Sequence, residues 1–492
     1  MAKFAGLNIQ CLMINIQFSM KRLVFISCFS LLTFNFFGQT ITQKLQKAFT
    51  AFEKDSQLKH GISSLYVIDA TTGKVVFDKN SQIGLAPAST QKIITSVTAF
   101  ELLGKDYRYK TEFWLVDRLH VDGNSKELFV SPSVDPTFGS WRYISTSDSE
   151  IFENVYTALK LKSGIQKISL ATNDNVIRIP DGWIWQDIGN YYGAAPSNLI
   201  WRENQFDIVF KTGRPMNETK IIQTFPENIG CVFNNQVVSG KINSGDNAYA
   251  YLPIGNDTML IKGTLPPDQN KFIISASMPD PTSVFLTGMQ KYLSSIKRKF
   301  PFEIIGIRRT PDFGSISEQL KYSSGPVYQE LVYTHYSPTL DSIIYWFNKK
   351  SINLYGEALI TTFAYEKRRL DSAYSGVDIL QRFWKENGID EDEINIVDGS
   401  GLSPLNRVTT HSQVEILKYA TTKDWFTYFK TALPEYNGMS MKSGTIRGVK
   451  GFCGYHKAKN GKEYIFSFLV NNYNGSASTL VNKMYKVLDI IK

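Results

Sequence analysis

A serine and a lysine three residues apart open the stretch that most constrains how this chain can fold. Ser89 and Lys92 precede apolar residues that recur at intervals of three and four, namely Ile93, Ile94, Val97, Phe100 and Leu103. This spacing predicts a buried helix that begins near Ser89. Residues three apart share a helix face, so we expect the hydroxyl and the amine to meet. A serine beside a lysine whose pKa is lowered by burial can act as a nucleophile with its own base.

The same spacing occurs elsewhere, where it indicates only a helix start exposed to solvent. Ser56 with Lys59 fits the pattern, and so does Ser294 with Lys297. The pair at Ser89 therefore predicts chemistry only with support from the rest of the sequence.

The composition is that of a globular protein long enough for two or three domains. The 492 residues are 43% hydrophobic and 20% charged, and the net charge is +9. An excess of positive charge can favour an anionic polymer. However, no basic run alternates with aromatic residues as in a nucleic-acid groove. We expect a mildly basic surface and no nucleic-acid partner.

The first 39 residues are typical of a secretory signal peptide. Met20, Lys21 and Arg22 precede an apolar run over residues 23–37, which ends at Gly38. A short basic segment, an apolar run and a small residue are the parts of such a leader. The run is shorter than the roughly twenty residues of a membrane span, and no later stretch is long enough. With either Met1 or Met20 as the start, we expect a periplasmic mature chain without an integral membrane span.

The cysteines and histidines predict no metal or cofactor. Outside the leader only Cys231 and Cys453 remain, and they are either two free thiols or a disulfide. The five histidines have no metal-ligand spacing, and no Gly-x-Ser-x-Gly turn accompanies them. We therefore expect chemistry that uses neither a metal nor a histidine base.

The order of predicted elements indicates an α+β domain formed by both ends of the chain. A helix from residue 41 and a hairpin over residues 61–77 precede the Ser89 helix. Strands near residues 440–470 and a last amphipathic helix end the sequence. These parts predict one antiparallel sheet with helices on both faces. Short strands and turns dominate residues 206–278, which indicates that a large, mostly β insertion interrupts this domain.

Three polar groups in a fixed order resemble the active-site motifs of penicillin-binding proteins and serine β-lactamases. They are Ser89-x-x-Lys92, Ser351-Ile352-Asn353 and Lys442-Ser443-Gly444-Thr445. The large insertion between the first two groups resembles the D-alanyl-D-alanine carboxypeptidase/endopeptidase family of class C, low-molecular-mass penicillin-binding proteins, peptidase family S13. Further matches are Asp135-Pro136-Thr137 and the stretches 182–185, 190–194 and 398–403, so the resemblance spans roughly residues 41–492.

This resemblance implies a domain division. After the signal peptide at 1–39, it places a penicillin-binding, transpeptidase-like catalytic domain at 40–104 and 328–492. It also places an inserted domain II at 105–205 and 280–327, with a small inserted β domain III at 206–279.

The resemblance also implies a role for each catalytic group. Ser89 would attack the carbonyl between two D-alanines of a peptidoglycan stem peptide and form an acyl-enzyme, which β-lactams would mimic as covalent inhibitors. Lys92 would take the proton of Ser89, and Lys442 would keep it neutral by like-charge repulsion. Ser351 would pass a proton to the leaving amine, and Asn353 would hold Lys92 and the substrate amide.

The remaining expected site residues bind substrate. The hydroxyls of Ser443 and Thr445 would bind the terminal carboxylate with Lys442, and the backbone N–H groups of Ser89 and Thr445 would form the oxyanion hole. The other expected substrate-binding residues are Gly444, Ser400 and Leu402.

A cluster in the insertion is expected to face the same cleft. There Asp187 would bind the free amine of a stem-peptide side chain, with Trp185 and Tyr192 as walls. Packing inside the insertion is the alternative for these aromatic residues.

Each motif also has a structural alternative. Ser351 and Asn353 fit a helix cap, and Lys442 fits a solvated strand end. Lys211-Thr212-Gly213 and Lys162-Ser163-Gly164 have the spelling of the third motif, but both precede Ser351 and fall within the insertion.

Three other functions share these residues. A serine β-lactamase would deacylate rapidly, an esterase would prefer esters without a free carboxylate, and a wall-binding protein would not turn over at all. The complete set of polar groups argues against the last of these.

Overall fold

The computed structural model describes the chain from residue 39 to its end, with internal gaps. Apart from Gln39, the expected signal peptide at 1–39 therefore lies outside the described residues. The described ranges are 39–120, 123–159, 162, 165–171, 177–296, 306–310, 327–368 and 375–492.

Both ends of the chain meet in one six-stranded antiparallel sheet. Ile62–Asp69 pairs with Glu463–Asn471 along its whole length. Six of the eight residues of Ile62–Asp69 are buried, because helices cover both faces of the sheet. In spatial order the strands are Glu435–Tyr436, Met439–Ile446, Val449–Lys457, Glu463–Asn471, Ile62–Asp69 and Val75–Lys79.

Helices on both faces of this sheet confirm the predicted α+β class. Ile41–Glu53 and Ala477–Leu488 cover one face, where the ring centroids of Phe49 and Phe468 lie 5.7 Å apart. Burying one such side chain stabilises the fold by about 1.5–3 kcal/mol. Among the described residues, no helix combines the length and apolar character needed to cross a bilayer. The other face carries Lys92–Leu103, Leu340–Lys349, Asn353–Arg368, Gly376–Glu386, Thr410–Ala420 and Phe426–Ala432.

The helix Lys92–Leu103 is buried from Lys92 to Phe100, in agreement with its apolar spacing. Its polar residues are buried as well, and they are paired. The hydroxyl of Thr95 donates to the carbonyl of Gly399 at 2.6 Å, and the amide of Asn348 donates to Ser96 at 2.9 Å. This enclosure fixes the position of the helix start, where Ser89 and Lys92 lie.

The insertion contains a five-stranded sheet of mixed direction. Two helices, Asp148–Leu159 and Pro281–Ser295, contribute to its core. In spatial order the strands are Gly306–Thr310, Ile165–Ala171, Gly123–Ser131, Lys110–His120 and Val327–Tyr336.

The last of these strands begins at residue 327, next to the point where the sequence predicted the return to the first domain. Val327–Tyr336 pairs antiparallel with Lys110–His120, so it belongs to the sheet of the insertion. Only residues 337–339 separate this strand from the helix Leu340–Lys349.

Two three-stranded sheets form the predicted β segment over residues 206–279. Their buried side chains share one hydrophobic core with the five-stranded sheet, so the two inserted parts pack as a continuous body. The strands of the first sheet are Val232–Ser239, Thr258–Leu265 and Tyr249–Tyr251, and those of the second are Phe272–Ser277, Gln205–Lys211 and Lys220–Phe225.

Candidate active site

Ser89 lies on a tight turn that leads directly into the buried helix. Residues Ala88–Gln91 form one turn of 3₁₀ helix, and Lys92 is the first residue of the α-helix. Ala88 has a φ of +47°, a conformation that is uncommon for residues with a side chain. The turn leaves Ser89 partly exposed while Lys92 is completely buried. The nucleophile candidate is thus accessible and its neighbouring amine is not.

The amine of Lys92 contacts three neutral oxygen atoms. Its Nζ lies 2.9 Å from the Oγ of Ser89, 2.6 Å from the Oδ1 of Asn353 and 2.7 Å from the carbonyl oxygen of Ser400. Burial lowers the pKa of Lys92 well below its usual value, and the positive charge of Lys442 lowers it further. A neutral amine beside a hydroxyl is suited to accept its proton.

Ser351 lies in the connection between two helices, Leu340–Lys349 and Asn353–Arg368, and Asn353 is the first residue of the second helix. Ser351 has a φ of +57°, and its hydroxyl accepts a hydrogen bond from Lys442 at 3.0 Å. Besides holding Lys92, Asn353 donates from Nδ2 to the carbonyl of Tyr192 at 2.7 Å. The side chain of Asn353 therefore joins the catalytic domain to the insertion.

Lys442 lies on the strand Met439–Ile446, and its Nζ also donates to the carbonyl of Ser443 at 2.9 Å. Burial lowers the pKa of Lys442 to about 7. Gly444 brings this strand against the serine turn: a β-carbon at that position would lie 2.5 Å from the carbonyl oxygen of Pro87 and 3.0 Å from the backbone nitrogen of Ser89. Thr445, the next residue, is exposed.

The loop at 398–403 supplies the third contact of Lys92 and depends on Asp398, which the sequence analysis did not select as a site residue. Ser400 is buried and offers its carbonyl to Lys92, while the amide of the buried Leu402 donates to the hydroxyl of Ser400 at 3.3 Å. The carboxylate of Asp398 accepts from five donors: the backbone N–H groups of Gly401 and Ser403 and the side chains of Gln91, Trp183 and Asn406.

Glu357 is a second residue that the sequence analysis missed. Its carboxyl accepts from the backbone N–H of Gly399 at 3.0 Å. Burial raises the pKa of Glu357 to about 8, and the negative charge of Asp398 adds to this effect. The only signal in the sequence was its position four residues after Asn353, which puts it on the same helix face.

Of the three candidate residues in the insertion, two are connected to the candidate active site by hydrogen bonds and one is not. The hydroxyl of Tyr192 donates to Asp187 at 3.1 Å, and burial raises the pKa of Asp187. Trp185 is half-exposed, and the centroid of its ring lies 4.8 Å from that of Tyr251. Its indole N–H donates to the backbone carbonyl of Leu252, which also lies in the insertion. The structure thus joins Tyr192 and Asp187 to Asn353, whereas the contacts of Trp185 are those of packing within the insertion.

The other stretches that match the serine–lysine spacing or the third motif lie outside the candidate active site. Ser56 and Lys59 are both exposed, and Lys211 is exposed at the end of its strand. Lys162 forms an ion pair with Glu330 at 2.5 Å. Their surroundings are those of solvated side chains.

The cysteines of the described chain, Cys231 and Cys453, are free thiols. Within the described ranges, no group of three histidine, cysteine or acidic side chains is arranged to hold a metal ion.

Comparison with known proteins gives concordant relatives. The chain is 23% identical over 478 residues to a D-alanyl-D-alanine carboxypeptidase of Actinomadura sp. strain R39, covering 90% of this chain and 84% of the relative. It is 22% identical to the D-alanyl-D-alanine carboxypeptidase DacB of Haemophilus influenzae, covering 82% and 83% of the two chains. The crystal structure of penicillin binding protein 4 (dacB) from Haemophilus influenzae superimposes with a TM-score of 0.71 at 19% identity, covering 90% of this chain and 99% of that one.

A match to a family model confirms the resemblance that the motifs predicted. The model of the D-Ala-D-Ala carboxypeptidase 3 (S13) family matches residues 45–435. This range includes Ser89, Lys92 and Asn353 and ends before Lys442. The chain belongs to the D-Ala-D-Ala carboxypeptidase 3 (S13) family.

Proposed function

We propose that this protein is a serine-type D-Ala-D-Ala carboxypeptidase/endopeptidase that cleaves peptidoglycan stem peptides through an acyl-enzyme on Ser89. The observation that carries the proposal is the 2.9 Å approach of the buried amine of Lys92 to the hydroxyl of Ser89. Burial and the neighbouring cation both favour the neutral amine. Both effects shift the pair toward the neutral amine that proton abstraction requires.

The proposed reaction begins with attack by the Oγ of Ser89 on the carbonyl carbon between two D-alanines. The Ser89 proton moves to Lys92, and the backbone N–H groups of Ser89 and Thr445 stabilise the oxyanion. Such a donor typically lowers the activation barrier by about 3–4 kcal/mol. The C–N bond then breaks, and the leaving amine receives a proton through Ser351, which is hydrogen-bonded to Lys442. Water attacks the acyl ester and restores the serine.

β-Lactams are the proposed covalent inhibitors, since their strained amide would acylate the same hydroxyl. A crystal structure of penicillin binding protein 4 from Haemophilus influenzae in complex with a β-lactam superimposes on this chain with a TM-score of 0.67 at 17% identity. The likeness supports a common fold, and the geometry around Ser89 supports the chemistry.

The proposal includes a location and a division of labour. Secretion by the leader at 1–39 would place the enzyme in the periplasm, where stem peptides are found. The sheet formed by both chain ends would carry the catalysis. Because Val327–Tyr336 pairs within the insertion, we place the catalytic domain at 40–104 and 337–492, with the inserted parts between them. Asp187 and Tyr192 would lie beside the bound stem peptide.

Mass spectrometry after treatment with benzylpenicillin tests the proposal. We expect one stable adduct on the peptide that contains Ser89, and release of D-alanine from a peptide ending in D-Ala-D-Ala. Ser89→Ala should abolish both, and the control Ser56→Ala, in the exposed pair with the same spacing, should change neither. An adduct on another residue would refute the assignment of the nucleophile, whereas rapid penicillin turnover without D-alanine release would indicate a β-lactamase.

A further inference from the structure

Lys450 is a partly buried lysine next to the candidate active site to which the reaction above gives no role. It lies on the strand Val449–Lys457, directly opposite Thr445 in the antiparallel register. Directly opposed residues project from the same face of a sheet. The Lys450 side chain therefore lies over Thr445, the last residue of the third motif.

The side chain of Lys450 is held in place by neutral groups. Its Nζ donates to the Oγ1 of Thr445 at 2.7 Å and lies 4.9 Å from the centre of the Phe452 ring. Burial lowers the pKa of Lys450 to about 8, and no acidic group in the described part of the chain offsets that effect. A partly buried ammonium group is stabilised by an anion beside it, so this position favours an anionic ligand.

The hydrogen bond between Lys450 and Thr445 leaves the right donors free for a carboxylate. An ammonium group has three donors, and Lys450 uses one of them on Thr445. Because the oxygen of Thr445 accepts that bond, its own hydroxyl proton remains available for donation. Two ammonium donors and one hydroxyl donor thus converge beside the strand that carries Lys442.

Lys442 has fewer free donors than Lys450 for binding a carboxylate. Its Nζ already donates to the hydroxyl of Ser351 at 3.0 Å and to the carbonyl of Ser443 at 2.9 Å. The first of these bonds holds Lys442 against Ser351, the residue that would protonate the leaving amine. The family resemblance implied that Lys442 binds the terminal carboxylate with the hydroxyls of Ser443 and Thr445, but the free donors on Lys450 suit that anion better than Lys442 does.

We propose that Lys450, together with Thr445, binds the carboxylate of the residue that leaves during cleavage, and thereby selects substrates whose leaving residue carries this negative charge. This inference rests on the proposed function and adds its specificity. Charge-assisted hydrogen bonds are about twice as strong as neutral ones. Removal of the amine should therefore reduce cleavage of the acid and spare substrates that lack the carboxylate.

The test compares a peptide ending in D-Ala-D-Ala with the same peptide ending in D-Ala-D-alaninamide. For Lys450→Met we expect kcat/KM on the acid to fall about tenfold or more, with kcat/KM on the amide unchanged. Lys450→Arg should restore most of the preference for the acid, because the guanidinium is again a cationic donor. The matched control is Lys457→Met on the same strand, where the lysine is exposed and pairs with Glu463.

Other results of this experiment would overturn either the role of Lys450 or the proposed function. An equal loss on acid and amide, or no loss on either, would overturn the role of Lys450. If Lys450→Met lowers the melting temperature, Lys450→Gln, which keeps a neutral donor to Thr445, must show the same selective loss. Failure of the wild-type protein to release the leaving residue from either peptide would instead overturn the proposed function.

Discussion

The Nζ of Lys92 lies 2.9 Å from the Oγ of Ser89, and its other two hydrogen-bond partners are the amide oxygen of Asn353 and the carbonyl of Ser400. No one of these three partners is an anion that would hold the lysine in its charged form. The completely buried amine therefore has a pKa well below that of a solvated lysine. The burial of Lys92 at the start of its helix therefore favours the neutral amine that can activate the hydroxyl of Ser89.

The first prediction separates the chemical role of Lys92 from a structural one. Lys92→Met keeps a long apolar side chain in the buried position and removes the base, so acylation by penicillin should fall by about 10²–10⁴-fold. The melting temperature should fall by only a few degrees, because the change leaves the oxygen atoms of Asn353 and Ser400 without this donor. Stopped-flow acylation and differential scanning calorimetry measure the two effects.

Lys59→Met is the control for this variant, since Lys59 belongs to the exposed pair with the same spacing. It should alter neither acylation nor stability. A lower melting temperature with an unchanged acylation rate in Lys92→Met would show that the lysine is structural.

A second prediction concerns how Lys442 tunes Lys92. The positive charge of Lys442 lowers the pKa of Lys92. Lys442→Gln removes that charge, so the pKa of Lys92 should rise and more of the base should be protonated at a given pH. The acid limb of the pH profile for penicillin acylation should therefore move to higher pH, in addition to a lower maximum.

Profiles of the acylation rate from pH 5 to pH 9 measure this shift. Lys211→Gln, in the exposed stretch that has the spelling of the third motif, should leave the profile unchanged. An acid limb that stays in place in Lys442→Gln would show that Lys442 does not set the protonation of Lys92.

The local part of this arrangement could be predicted from sequence because it depends on helix periodicity alone. Ser89 and Lys92 are three residues apart, so one turn of helix brings them together. The meeting of both chain ends in one sheet also followed from the order of elements. The resemblance to a known family then placed Ser351 and Lys442 in the same site.

The supporting residues could not be predicted, because their contacts join distant parts of the chain. Gln91 and Asp398 are 307 positions apart, and no periodic pattern connects them. Glu357 looks like an ordinary acidic residue on a helix until the fold buries it near Asp398. The sheet to which residues 327–336 belong could not be predicted for a similar reason, since only the pairing of Val327–Tyr336 with Lys110–His120 assigns that strand to the sheet of the insertion.

A third prediction follows from the protonated state of Glu357. Its pKa is raised to about 8 in the folded protein, compared with the ordinary value of 4.5. Between these values the folded state binds more protons than the unfolded chain, so this group makes the protein less stable as the pH rises from about 4.5 to 8. Glu357→Gln is neutral at every pH and keeps an acceptor for the N–H of Gly399. The variant should therefore not lose this stability as the pH rises.

Thermal unfolding at several pH values measures the difference between the wild type and Glu357→Gln. The variant should be about as stable as the wild type at pH 4.5 and relatively more stable at pH 8. The exposed Glu386→Gln on a neighbouring helix is the control. A constant difference across this range would mean that Glu357 does not hold a proton in the fold.

The last prediction concerns the acidic group in the insertion. Asp187 accepts a hydrogen bond from Tyr192, whose carbonyl is bound by Asn353. An amine on the stem-peptide side chain would pair with this carboxylate. Asp187→Asn preserves the shape of the residue and removes its charge. The kcat/KM for a peptide with a free side-chain amine should therefore fall about tenfold, in line with the value of a charge-assisted hydrogen bond. The same peptide with an acetylated side chain should be cleaved equally well by wild type and variant, because it has no charge for Asp187 to recognise. Equal losses on both peptides would assign Asp187 to the packing of the insertion against the helix that carries Asn353, since a positional role affects every substrate alike.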